Sequence, residues 1–359
     1  MFSPAPISLS SDFLQAALGA RGGFAWWYLD HIDEQGNGFV LIWSFGLPFL
    51  PHSRKRPTAG SRPSIALSLY RQGKCIWYTL QEFDPSQVSQ PDVEGNLKIG
   101  DCSFQVERRE TNTVGAIRLR LAAAGEPSPL EGVIEFEGPS VPLEKSQTTE
   151  QHLWTPRVPR ARVKAQFSQE RLAEAFEGPG YFDGNASTVS LLDQKIARWD
   201  WARITFPDET LITYTSTSET DGAVVGGAWR TKGQEIEVPA ADEQKLEAEG
   251  KVRGFYRLDA PERLNLSWGS DEYSIHYYRL IDDGPFYQRY WLKAVRNGSS
   301  AGEGIAEVVC PRRIDIAWQR PFVRMRTHAV QGGNSPFLPL FSGPLDKTWS
   351  RLPIYWWRA

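Results

Sequence analysis

Apolar residues in this chain recur at every second position far more often than at every third or fourth. Ile65, Leu67 and Leu69 alternate with Ala66, Ser68 and Tyr70, and Val163, Ala165 and Phe167 alternate with Arg162, Lys164 and Gln166. A period of two sends successive side chains to opposite faces of a strand. Further strand-length runs occupy 39–45, 75–80, 117–121, 133–136, 211–217, 236–238, 264–268, 273–277 and 305–309, with another around Ile204, and Gly, Pro, Asp or Asn residues bound them. The pattern predicts an all-β protein folded as sandwiches or barrels. Three stretches read as short helices: 11–18, started by Ser11 or Asp12 and stopped by Gly19; a single excursion in SQERLAEAF, 168–176; and a polar surface helix at 240–249.

The chain has 359 residues, more than one hydrophobic core usually serves, so two domains are expected. A polar, proline-bearing stretch, GPSVPLEKSQTTEQ at 138–151, supplies the boundary between an N-terminal β-domain at 1–150 and a C-terminal β-barrel domain at 151–359. The formal net charge of -3 argues against a nucleic-acid partner. Cys75, Cys102 and Cys310 are too few and too scattered for a disulfide framework or a zinc motif, which points to a reducing, cytoplasmic setting. The N-terminal segment lacks a basic region, and Asp12 interrupts its apolar run, so it reads as a capped helix and not as a signal peptide. No stretch reaches the ~18 apolar residues of a spanning helix. Membrane contact would therefore be peripheral, and the basic loop SRKRP at 53–57 is either plainly solvated or a contact for anionic headgroups.

No glycine-rich phosphate loop, HExxH, CxxC or GxSxG motif occurs, so neither a nucleotide, a metal nor a serine nucleophile is signalled, and no cofactor is expected. His31, His52, His152, His276 and His328 are far apart, and their spacing favours no metal site. The densest chemistry lies in 151–203, which holds His152 and Trp154, then Tyr181, Phe182, Asp183, Gly184 and Asn185, then Trp199 and Trp201. Asp183 has two readings. Buried beside the aromatic rings, its carboxyl would lose hydration, rise in pKa and donate a proton near neutral pH. Exposed, it would make a turn with Gly184 and Asn185. Trp26, Trp27, Trp199 and Trp201 likewise either pack a β core or offer negative ring faces to a cation.

Six blocks in order resemble one family. They are GGFAWWYLD at 22–30, the His-x-Trp of His152 and Trp154, the Tyr-x-Asp-x-Asn of Tyr181, Asp183 and Asn185, WDWAR at 199–203, DDGPFYQRYW at 282–291 and GEGIAEVVCPRRID at 302–315. Together they resemble the carotenoid 1,2-hydratase (hydroxyneurosporene synthase) family of the lipocalin-like superfamily, over nearly the whole chain. The resemblance implies two lipocalin-like or calycin-type β-domains holding a long apolar isoprenoid. It assigns catalysis to His152, Trp154, Tyr181 and Asp183; Trp26, Trp27, Asn185, Trp199 and Trp201 are expected as further substrate contacts. The implied reaction is cofactor-free hydration of a terminal double bond. Asp183 protonates the less substituted carbon, aromatic faces steady the tertiary cation, and water adds, with His152 or the Asp183 carboxylate taking its proton. His152 could instead only orient Asp183. A cation-initiated cyclase, a pericyclase that relies on shape and an isoprenoid carrier remain competing readings.

Overall fold

The computed structural model describes residues 10–49, 56–123, 128–140, 151–233, 235–237, 243–314, 316, 328–329 and 333–334. Among the described residues the chain is all-β apart from α1 (Ser11–Gly19) and three short 3-10 turns. The cap of α1 is Ser10, one residue before the expected start, whose Oγ accepts the Phe13 amide at 3.2 Å.

The first sheet is built from β1 (Phe24–Ile32), β2 (Gly38–Phe45), β3 (Pro63–Arg71), β4 (Lys74–Glu82), β5 (Leu97–Ile99), β6 (Cys102–Arg108), β7 (Asn112–Leu121), β8 (Leu130–Pro139), β9 (His152–Gln169) and β10 (Leu172–Ser187). The second contains β11 (Ile196–Thr205), β12 (Thr210–Ser218), β13 (Val224–Lys232), β14 (Glu235–Glu237) and β15 (Gln244–Glu249). After a separate small pair, β16 (Val252–Arg253) and β17 (Asp259–Ala260), it continues with β18 (Arg263–Trp268), β19 (Asp271–Asp283), β20 (Tyr287–Arg296) and β21 (Ser300–Val309). Finally β22 (His328–Ala329) and β23 (Gly333–Asn334) extend the first sheet beyond β4.

The change of sheet falls at 188–195, between β10 and β11, and not at 138–151. The strands on either side of 138–151 are direct neighbours, with Phe136 of β8 opposite Val163 of β9, so residues 152–187 complete the N-terminal sheet. Two expected helices are also corrected. SQERLAEAF forms the β9–β10 hairpin, Gln169 opposite Leu172 across a turn at Glu170 and Arg171. Burial of Phe167 and Phe176 in one core outweighs the helix preference of the intervening Ala, Glu and Leu. The described part of 240–249 is β15, an edge strand whose exposed Lys245, Glu247 and Glu249 discourage pairing with a second chain. The Gln244 side chain accepts the Ala228 amide of β13 at 2.8 Å, which draws the two sides of the second sheet together into a nearly closed barrel. Of the basic loop, 53–55 lie outside the described residues.

Three cores result. One lies within the curl of the first sheet, around Trp27, Trp43 and Phe182; another lies inside the second, around Leu266, Tyr290 and Leu292. The third is shared between the sheets and is rich in aromatic rings: Trp26, Tyr28, Tyr181, Trp199, Trp201 and Tyr287 belong to it. This explains why every residue of β1 is buried, since both of its faces are covered. Two buried polar links tie the sheets together. Arg203 of β11 donates to Asp30 of β1 at 2.8 Å, and Tyr70 of β3 donates to Asp282 of β19 at 2.5 Å while accepting from Arg289 of β20 at 2.6 Å. Removing one partner of such a pair strands a buried charge, at a cost of about 3–5 kcal/mol.

Candidate functional site

Strand register brings the candidate residues together. In β10, Tyr181, Asp183 and Asn185 are two apart and turn to the same side, toward the shared core. Opposite Asp183 on β1 stands Tyr28, and opposite Asn185 stands Trp26. On the other flank Trp154 of β9 pairs with Asn185, and His152 with Ser187. One face of three adjacent strands thus carries seven of the polar and aromatic side chains. Pro156 and Pro159 lie where the β9–β10 register slips, around Tyr181 to Asp183. Proline lacks the amide that a regular ladder needs there.

The second sheet presents a facing row. Trp201 of β11 is opposite Glu307 of β21, which is opposite Arg289 of β20. Trp199, two residues from Trp201, shares its side of β11. Across the gap the Trp201 ring lies 5.5 Å from that of Tyr28 and 5.3 Å from that of Tyr181.

Asp183 is the only carboxylate of the first-sheet face in this site among the described residues, and it is buried. Both of its hydrogen bonds fall on one oxygen: Trp154 Nε1 and Tyr181 Oη each donate to Oδ2 at 2.9 Å. Oδ1 makes no hydrogen bond to a described residue. Burial pushes the carboxyl up to about 7; the two donated bonds oppose that rise, and the negative charges of Glu307 and Asp30 add to it. His152 is shifted the other way. Its Nε2 lies 2.6 Å from Asn185 Oδ1, and burial lowers its pKa to about 4 despite that bond. The ring is therefore neutral at physiological pH. Burial also raises Glu307, against the pull of Arg289 and of the bond from Tyr287.

Two neighbouring chambers adjoin these residues. The inner one, of about 50 Å³, is lined by Asp183, His152, Trp154, Asn185, Trp201 and Tyr214 among others. The outer one, of about 110 Å³, is walled mainly by apolar side chains, including Val40, Ile42, Phe49, Leu80 and Phe286. Trp26, Tyr28, Trp199 and Glu307 belong to both walls. The shared wall sets the mainly apolar outer chamber next to the one that holds the acid.

Eight of the nine expected site residues gather here. His152, Trp154, Asp183, Asn185, Trp26, Trp199 and Trp201 line the inner chamber, and Tyr181 stands behind Asp183. Trp27 does not: neighbours in a strand face opposite ways, and Trp27 lies in the core of the first sheet, with Nε1 donating to the Val93 carbonyl at 3.2 Å. Trp27→Phe is therefore expected to destabilise the fold by about 1–3 kcal/mol through lost volume and a lost hydrogen bond, measured by denaturant melts, and to leave turnover within a few-fold. Sequence reasoning missed Tyr28, Tyr214, Tyr287, Arg289 and Glu307. Alternation from Trp26 could have found Tyr28. Arg289 and Glu307 sit in quoted sequence blocks, but only the pairing of β20 with β21 shows that they meet.

The low pKa of His152 has its own consequence. The folded state resists the proton that the unfolded chain binds at pH 6.5, so this residue's share of stability is present above pH 6.5 and is lost as pH falls through about 4. Imidazole resonances should show His152 uncharged at pH 6 and titrating only below about pH 5.

A model of the family described as carotenoid hydratase CrtC matches residues 94–332. An acyclic carotenoid 1,2-hydratase of Thiocapsa roseopersicina is 26% identical over 289 residues, which cover 78% of this chain and 67% of that protein. Among solved structures, an AttH protein of Nitrosomonas europaea aligns with a TM-score of 0.52 at 15% identity, covering 80% of this chain and 92% of that one. CghA, solved with Sch210972, aligns with a TM-score of 0.55 at 14% identity, covering 80% and 88%. At these identities the two structures speak to fold, and they agree with the all-β lipocalin-like architecture of two sheets.

Proposed function

Because the chain belongs to the carotenoid hydratase CrtC family, we propose that it adds water across the terminal carbon–carbon double bond of an acyclic carotenoid or a related isoprenoid, with Asp183 as the acid. The observation that carries this reading is the placement of Asp183: a buried carboxyl at the wall of an aromatic chamber, with Oδ2 held by Trp154 and Tyr181, and with burial pushing its pKa up to about 7. With Oδ2 occupied by two donors, the acid proton resides on Oδ1. Transfer to the less substituted carbon of the double bond leaves a tertiary cation on its neighbour. The faces of Trp154, Trp199 and Trp201, which line the inner chamber, stabilise that cation, each by about 0.5–2 kcal/mol depending on how far water is excluded from the ring face. The new carboxylate keeps the bonds from Trp154 and Tyr181, so the charge that develops on the acid meets donors already in place.

Water then forms the carbon–oxygen bond and loses a proton. Asp183 carboxylate, whose conjugate acid has a pKa of about 7, is a stronger acceptor than His152 at about 4. This favours Asp183 as both acid and base, with His152 and Asn185 holding the chamber wall. The chemistry changes no oxidation state and calls for no cofactor. Such a substrate resides in lipid, so the reading includes transient contact with a membrane surface, which co-sedimentation with liposomes tests.

The test is an anaerobic incubation of purified protein with an acyclic carotene in heavy-oxygen water, read by mass spectrometry. The expected product has gained one labelled water. A product of unchanged mass but altered retention would replace hydration by cyclisation or isomerisation. Binding without any change in the ligand would replace it by carriage.

A further inference from the structure

We propose that the inner chamber is a built water site, in which Tyr28, Trp201 and Glu307 hold the attacking water against the cation; the inference rests on the hydration reading above. Three buried polar atoms at this chamber make no hydrogen bond to a described residue: Asp183 Oδ1, Tyr28 Oη and Trp201 Nε1. A buried polar group left unpaired is costly, so three around one small space call for an occupant that both donates and accepts. Hydrocarbon satisfies none of them. A chamber of about 50 Å³ has room for a few waters, each needing ~10–15 Å³ on this measure.

Strand register places the groups on both sides of the space. Tyr28 is opposite Asp183 in the first sheet, and Trp201 is opposite Glu307 in the second. The Tyr287 hydroxyl at 2.5 Å and Arg289 Nε at 3.1 Å both bond Glu307 at Oε1, which leaves Oε2 to accept from water. Arg289 in turn is fixed by Asp282 at 2.8 Å. The wall of the outer chamber is mainly apolar, and of its polar side chains Ser44 is paired with Ser64 at 2.8 Å and Tyr287 and Arg289 with Glu307. The division is between a hydrocarbon chamber and a water chamber, with Tyr28 and Glu307 at the junction.

The water so held donates a lone pair to the cation, and the carbon–oxygen bond forms. The proton of the resulting oxonium goes to Asp183 carboxylate, which restores the acid, and Glu307 acts as a positioning residue. If the water is misplaced, the cation has another exit: it loses a proton to Asp183 and returns to an alkene.

These fates separate in deuterated heavy-oxygen water. Capture yields an alcohol carrying the heavy oxygen, whereas proton loss returns an alkene bearing deuterium. Tyr28→Phe and Trp201→Phe keep an aromatic ring and remove the polar atom, and Glu307→Gln keeps the shape. Each is expected to raise the ratio of deuterated alkene to labelled alcohol by about fivefold, the worth of roughly one hydrogen bond. A lesion that is only structural lowers both products together and leaves the ratio alone. An unchanged ratio in both Tyr28→Phe and Trp201→Phe, with labelled alcohol still formed, overturns the water site while leaving hydration standing. A wild-type protein that forms neither product overturns the hydration reading, and this inference with it.

Discussion

Asp183→Asn is expected to lower hydration by about 10³-fold, within the usual range for loss of a general acid, and to make the protein more stable above pH 7. The two effects have one cause. An aspartic acid whose pKa rises from 3.8 to about 7 on folding is buried most easily with its proton on. Its contribution to stability is full below pH 4 and is lost as pH rises to and past about 7, a swing of roughly 4 kcal/mol at about 1.4 kcal/mol per pH unit. Asparagine stays neutral throughout. Its amide oxygen can accept the bonds from Trp154 and Tyr181, and its NH2 group takes the place of the acid hydroxyl. Allowing for an imperfectly paired NH2, the variant should gain about 2 kcal/mol over wild type at pH 8 and little or nothing at pH 5. Denaturant melts at the two pH values, alongside product assays, check this. A residue that merely holds the fold would show loss of stability together with loss of rate.

The second large effect is the pH dependence of the reaction. A general acid works while protonated, so kcat/KM should be level below about pH 6 and fall tenfold per pH unit once pH exceeds the Asp183 pKa of about 7. No falling limb is expected between pH 5 and 6 from His152, which is already neutral there. Trp154→Phe removes one of the two donors that favour the ionised carboxylate. The alkaline limb should therefore move up by about one pH unit in that variant. A limb that moves down, or stays fixed, would mean that the titrating group is not Asp183.

Much of this was legible in the sequence, for reasons that differ by level. Period-two alternation marked the strands, because a half-buried strand leaves that pattern wherever it folds. The grouping of the candidate acid with its neighbours was legible because Tyr181, Asp183 and Asn185 lie on one strand at spacings of two, close in sequence to His152 and Trp154. Burial of Asp183, which sequence left open, is settled by the second sheet closing over β10. What was not legible is long-range pairing. The helix-like composition of 168–176 and 240–249 gave no hint of hairpin and edge pairing, and a proline-bearing stretch at 138–151 looked like a boundary although β8 and β9 pair across it. The Glu307 and Arg289 row depends on contacts between strands far apart in the chain. Trp27 is a different case: two adjacent tryptophans in one strand cannot share a face.

The central claim is that Asp183 holds a proton near neutral pH because it is buried among aromatic rings. Carboxyl carbon NMR of protein labelled at aspartate, followed through pH 4 to 9 in wild type and Asp183→Asn, tests it most directly. The account predicts one aspartate resonance that titrates near pH 7 and is missing from the variant. If that resonance instead titrates below pH 5, Asp183 is ionised at working pH and cannot be the acid.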